Sequence, residues 1–122
     1  AVNAGINGPS ALARTENGPT LDGPAGEVAR EAARETACVA RAVGVDLPDE
    51  RAVDAVERVA DDTAANRSSM YEDVANERRT EADAIYGAVV DRAERRGVSV
   101  PTCRTVGSLI RGWEAARGLR QG

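Results

Sequence analysis

The apolar side chains of this sequence are almost all small. There is no Phe, one Trp (Trp113) and two Tyr (Tyr71 and Tyr86), and Ala and Val supply most of the remainder. That inventory constrains the fold more than any other feature. Elements faced with Ala can approach closely, which suits packed helices, whereas a β-sandwich draws on aromatic and β-branched residues. Each buried Ala removes little area from water, so such a core gains from a second domain or subunit packed against it. The 122 residues fit one domain, residues 1–122, and suffice for a core. No stretch of useful length alternates apolar and polar residues as a strand would. The expectation is an all-α domain of five or six helices joined by short loops.

Helical spacing places most of them. Gly8-Pro9 predicts a helix end near Asn7, followed by a turn of helix through Ala11 and Leu12. Glu16-Asn17-Gly18-Pro19 reads as a turn. A long helix is expected from about Pro24 to Val43, with Val28, Ala32, Val39 and Val43 inward and Gly44 as its stop. Leu47-Pro48-Asp49 opens a second, carrying Val53, Val56, Ala60 and Thr63 on one stripe and fraying near Asn66. Ser68 or Ser69 caps a short segment to Glu77, with Glu72 as a capping-box partner. Thr80 caps a helix from about Glu81 to Arg96, with Ile85, Val89 and Ala93 inward and Gly97 as its end. Pro101 leads into a last helix, about 102–117, with Val106, Leu109, Ile110 and Trp113 inward.

Charge excludes some partners. The net charge is −4 and all sixteen cations are Arg, with no Lys and no His. Nucleic acid calls for a clustered basic face, which this acidic balance does not offer. Lys-free, acid-rich composition fits either a GC-rich genome or a salt-loving source. Cys38 and Cys103 are far apart and match no metal spacing, so they read as two reduced thiols and no metal is expected. No apolar run approaches the ~20 residues that span a bilayer, and no secretory leader opens the sequence. A cytoplasmic location and no membrane partner are expected.

Polar residues carry the functional signal. Asn3 and Asn7, four apart, share one helix face and could present amides to a ligand or simply cap and turn the chain. Asn66-Arg67-Ser68-Ser69-Met70 and Arg79-Thr80-Glu81 each open a helix, where hydroxyls and free N–H groups can take an anion. Ordinary N-caps would use the same residues, with Glu81 a first-turn acid.

Taken together, these segments resemble a known family. Asn3, Asn7, Pro9, Ser10-Ala11-Leu12 and Asn17-Gly18 are similar to the "N-x-x-x-N-P-[LIV]-[ST]-A-[LI] … N-G" stretch that opens the C-terminal domain of ketopantoate reductases (2-dehydropantoate 2-reductases). Ser68-Ser69-Met70 … Asp73 … Arg79-Thr80-Glu81 … Asp83 … Ile85 … Gly87 resembles the second signature, "S-S-M-x-x-D … R-x-T-E-[IL]-D-x-[IL]-N-G". The likeness runs through nearly the whole chain in order.

The resemblance implies a compact multi-helix domain of the type found in 6-phosphogluconate dehydrogenase-like and ketopantoate reductases. It implies a partner Rossmann domain that binds NADPH or NADH, and an active site in the cleft between the two. Ketopantoate would be reduced to pantoate, for pantothenate and coenzyme A synthesis. Asn3, Asn7, Asn17, Asn66, Ser68 and Ser69 would bind the substrate, and Glu81 would sit beside the nicotinamide ribose and the catalytic lysine. That lysine would fall two positions before Ala1, and no G-x-G-x-x-G occurs, so this chain alone is expected to be inactive. Pro9 is displaced by one residue from the family position, and Tyr86 replaces the usual Asn before Gly87. A reductase of another 2-keto acid therefore stays open. So does a stand-alone, non-catalytic helical domain for dimerisation or binding. A homodimer packed through helices 24–43 and 102–117 is a further expectation.

Overall fold

A computed structural model describes residues 1–121. Seven α-helices follow one another: α1 (Val2–Ala13), α2 (Asn17–Asp22), α3 (Ala25–Ala42), α4 (Asp49–Asp62), α5 (Ser69–Ala75), α6 (Ala88–Arg96) and α7 (Pro101–Ala116). A π-helical turn, Asp83–Gly87, leads into α6. There is no strand among the described residues, as the all-α expectation requires. No helix among them is long and apolar enough to cross a membrane.

Helix α1 is the spine. One apolar cluster, which includes Ala4, Ala11, Met70, Val74, Tyr86, Val106 and Ile110, lies on one side of it. A second, which includes Ile6, Ala29, Ala33, Ala37, Val56 and Ala60, lies on the other. Small residues make this possible. A Cβ added at Gly5 would stand 2.9 Å from Val56 Cγ2 and 3.2 Å from the Ala29 carbonyl oxygen, so α1 lies almost backbone to backbone against α3 and directly on the Val56 side chain of α4.

Two buried carboxylates reach across to the starts of helical segments. Glu35, from α3, accepts the N–H of Thr102 at 2.9 Å and of Cys103 at 2.8 Å, which satisfies free donors in the first turn of α7. Glu114, from α7, does the same for the turn at Thr80.

The structure has seven α-helices where five or six were expected, and it departs from the sequence reading in further places. Helix α1 does not stop at Asn7 but continues through Gly8 and Pro9, with Pro9 inside it. The residues read as a turn, 16–19, are instead the start of α2, whose first residue is Asn17. Ser68 is the cap of α5, receiving Tyr71 N–H, so Glu72 stands one position too far along to close a capping box. Finally, Val28 and Leu109, both read as inward, are 39% and 55% exposed. Fully buried Ala29, Ala33 and Ala37 take the core face of α3 instead, because a face that must approach another backbone closely selects the smallest side chain.

Candidate functional site

Asn3, Asn7 and Ser10 fall on one stripe of α1, at helical spacing. Hydrogen bonds orient that stripe. Ser10 Oγ donates to the Asn7 carbonyl at 3.1 Å and lies 2.6 Å from Ser68 Oγ, which turns the stripe's edge toward the start of α5. Ala4 and Gly8, on the neighbouring stripe, meet the Tyr86 hydroxyl. The Asn3–Asn7 face is thus flanked by the start of α5 and by the Tyr86 turn. Asn3 is exposed and Asn7 buried.

The link between α4 and α5 runs against the start of α2, and at its end Ser68 meets Ser10 of α1. Asn17 N–H donates to the Asn66 carbonyl at 2.9 Å, and Gly18 N–H donates to Ala64 at 3.0 Å. A Cβ at Gly18 would meet Ala64 Cβ at 2.7 Å, so glycine allows the two segments to run this close. Asn17 Nδ2 donates to Thr63 Oγ1 at 2.9 Å. Thr63 gives its own proton to the Val59 carbonyl at 2.6 Å, so it can only accept from Asn17, and the orientation of the Asn17 amide follows. Asn17 Oδ1 is left turned away, buried and without a partner. A buried acceptor with no donor costs about 1–3 kcal/mol and suits a ligand hydroxyl or ammonium.

The two serines divide their roles. Ser68 is buried, accepts Tyr71 N–H at 3.1 Å and shares a proton with Ser10, so its hydroxyl is engaged within the protein. Ser69, the first residue of α5, is exposed. Asn66 is exposed as well, and its carbonyl fixes Asn17.

Glu81 is exposed at the entry to the π-helical turn. Its neighbour Arg79 pairs with Asp83 at 3.1 Å rather than with it. The backbone at Glu81 is held from behind. Fully buried Glu114 Oε2 accepts Thr80 N–H at 2.6 Å and Thr80 Oγ1–H at 2.9 Å, and Thr80 Oγ1 in turn accepts Ala82 N–H at 3.1 Å. Arg120 closes the clamp, 2.8 Å from Glu114 Oε1 and 3.1 Å from Asp83 Oδ1. Arg120, with Arg79 behind it, holds the Asp83 carboxyl below the usual carboxylate range.

Hydrogen bonds therefore join Asn7, Ser10 and Ser68, and join Asn17 to Asn66; Glu81 is linked to neither group by such a bond. Ser10, Thr63 and Glu114 were not read as site residues from sequence. Glu114 had a signal: Val106, Ile110 and Glu114 are spaced by four, an acid on the inward stripe of a helix. Thr63 was read only as the end of the α4 stripe.

Residues 1–114 match the family described as "Ketopantoate reductase PanE/ApbA C terminal". The 2-dehydropantoate 2-reductase of Halobacterium salinarum is 43% identical over 111 residues, which are 90% of this chain and 36% of that protein. Its source is a salt-loving archaeon, one of the two settings the composition suggested. A PanE/ApbA family ketopantoate reductase from Ralstonia eutropha JMP134 superposes with a TM-score of 0.86 at 32% identity, over 96% of this chain and 39% of that one. D-mandelate dehydrogenase with NADH and anilino(oxo)acetate gives 0.88 at 25% identity, over 98% and 39%. The chain thus spans little more than a third of the relatives it matches.

Proposed function

Because the chain belongs to the ketopantoate reductase family, we propose that it is the substrate-binding domain of an NADPH-dependent 2-dehydropantoate 2-reductase, paired with a Rossmann domain that holds the cofactor. The observation that carries this reading is the orphaned Asn17 Oδ1, on a segment hydrogen-bonded to Asn66 and near a face that presents Asn3 and Asn7. Neutral amides and hydroxyls match an acidic, hydroxylated 2-keto acid, which needs donors and acceptors at several places rather than one ion pair.

Each residue then has a task. Asn3, Asn7 and Asn17 bind and orient the substrate. Asn66 and Ser69 hold its carboxylate and hydroxyl at the start of α5, and Ser68 anchors that start through Ser10. The ketone oxygen gains charge as it is reduced and must be stabilised and protonated. The Glu81 carboxylate keeps a proton-donating ammonium charged and aimed; that ammonium belongs to a lysine preceding Ala1. The exposed, unclaimed carboxylate of Glu81 also fits one edge of a nicotinamide cofactor, as acceptor for a ribose hydroxyl. The cofactor, when bound, supplies the hydride. Binding of the rest of it falls to the Rossmann domain, since this chain has no Gly-rich phosphate turn.

A second reading, reduction of a different 2-keto acid, is favoured by Tyr86 at the usual Asn position and by the likeness to D-mandelate dehydrogenase. The test is NADPH oxidation by the full-length protein with ketopantoate and with other 2-keto acids. Glu81→Ala and Ser69→Ala are each expected to lower activity about tenfold or more with the melting temperature retained. Unchanged constants in both variants would remove these residues from the site. Residues 1–122 alone are expected to oxidise no NADPH, and turnover by them would contradict the division of labour.

A further inference from the structure

The Tyr86 hydroxyl sits on a rung of α1. It accepts Gly8 N–H at 2.8 Å and donates to the Ala4 carbonyl at 2.6 Å. Those are the two groups that a regular α-helix pairs with each other. The adjoining rung, from residue 9 to residue 5, cannot form, because Pro9 has no N–H. Helix α1 stays α-helical from Val2 to Ala13, yet over Ala4–Pro9, the span that contains Asn7 and immediately follows Asn3, its ladder is completed by the Tyr86 hydroxyl at one rung and lacks a donor at the next. A side chain that enters the helical ladder bends or opens the helix at that point. Here the phenol enters on the stripe next to the two amides.

Everything around Tyr86 fixes it there. A Cβ at Gly8 would lie 2.5 Å from the hydroxyl oxygen, and a Cβ at Gly107 would lie 2.7 Å from Tyr86 Cβ. Two glycines thus make room for one ring, and the side chain is 1% exposed. The backbone supports the placement. The Ala88 N–H bonds to the Asp83 carbonyl, five residues back, so the turn that carries Tyr86 holds an extra residue. Such turns are frequent at functional sites. Burial raises the phenol above its ordinary range, so it keeps the proton it donates to Ala4.

We infer that Tyr86 is a positioning and specificity-determining residue: its hydroxyl sets the backbone geometry of α1 between Asn3 and Asn7, and so the spacing at which the two amides meet a 2-keto acid. The part concerning substrate rests on the function proposed above. The phenol reaches α1 from a position where the family pattern has Asn. The substitution at that position bears on which 2-keto acid is taken.

The experiment pairs a spectroscopic and a kinetic readout of Tyr86→Phe in the full-length protein. The ring and its packing remain and only the clip on α1 is lost. The side-chain amide resonances of Asn3 and Asn7 are expected to move together with the Gly8 backbone amide. KM for the keto acid is expected to rise about tenfold, with kcat and KM for NADPH within about twofold, because misplacement of a binding group by less than an ångström costs that order. In an Asn7→Ala background the same substitution should add little. Tyr86→Asn, which restores the family residue, should change the ratio of kcat/KM between two 2-keto acids of different size. Movement of the Gly8 amide alone, or an equal rise in both KM values, would overturn the inference. If no 2-keto acid is reduced by the parent protein, the proposed function fails, and the amide resonances still decide whether Tyr86 shapes α1. Should Tyr86→Phe not fold, a structure of the parent protein with a bound 2-keto acid decides: contact of both the Asn3 and the Asn7 amide with the ligand supports the inference, and contact with neither overturns it.

Discussion

Single residues here are tuned by burial and by one or two partners. Asn17 is the clearest case. Thr63, already committed to Val59, fixes the amide and leaves its oxygen unpaired. Asn17→Ala removes that unpaired acceptor together with one hydrogen bond, so stability is expected to change by less than about 1 kcal/mol while KM for the keto acid rises; equal loss of stability and unchanged KM would place Asn17 in the scaffold alone. The cysteines are equally contrasted. Burial, with Glu35 nearby, pushes the Cys103 thiol up to about 12, whereas Cys38 is partly accessible. A maleimide at neutral pH is expected to label Cys38 alone in the native protein and both after denaturation. Labelling of Cys103 at the same rate in the native state would contradict its burial.

Elements are held by polar groups crossing between them, and this is where sequence reading reached its limit. The existence and order of the long helices were legible: α3 and α7 fall within one residue of their expected spans, because their apolar stripes and Pro or Gly ends are strong, whereas α4 ends at Asp62, short of Asn66, and α6 begins only at Ala88, after a π-helical turn that the stripe does not reveal. Individual positions were less so. In α3 the close approach of backbones puts Ala inside and leaves Val28 and Val43 exposed, and in α7 Leu109 is exposed. In α1 the Gly8-Pro9 pair reads locally as a stop, yet the helix runs through Pro9, with the Gly8 N–H taken by a phenol from 78 residues away. The candidate site is proposed from its motif residues, while the groups that hold them, Ser10 and Thr63, depend on contacts that no local pattern records; Glu114 alone leaves a trace, as an acid on the inward stripe of α7. Glu114 is the support to test. Glu114→Ala leaves Thr80 N–H and the Arg120 clamp without their acceptor, and a loss of about 3 kcal/mol is expected on thermal or urea unfolding. An unchanged melting temperature would mean the clamp does not hold the turn that carries Glu81.

At the scale of the molecule, a spine helix separates two apolar clusters, and the proposed binding face is one side of that spine. Such a core is sensitive to alkali. Cys103 and Tyr86 have ordinary values of 9.0 and 10.0, and both are raised in the fold. Between those values and the raised ones the unfolded chain loses protons that the folded chain retains. Stability is therefore full below about pH 9 and falls as pH rises toward 12. Urea midpoints measured from pH 7 to pH 11 should decline above pH 9, and Cys103→Ala should flatten part of the decline. In the proposed function the amide face of α1 and the Asn17–Asn66 junction together bind the keto acid. A crystal structure of the full-length protein with NADP and pantoate tests this. A pantoate hydroxyl is expected at about 3 Å from Asn17 Oδ1, with the ligand also in contact with Asn7 and Ser69. Pantoate bound elsewhere, with Asn17 Oδ1 still unpaired, would contradict it.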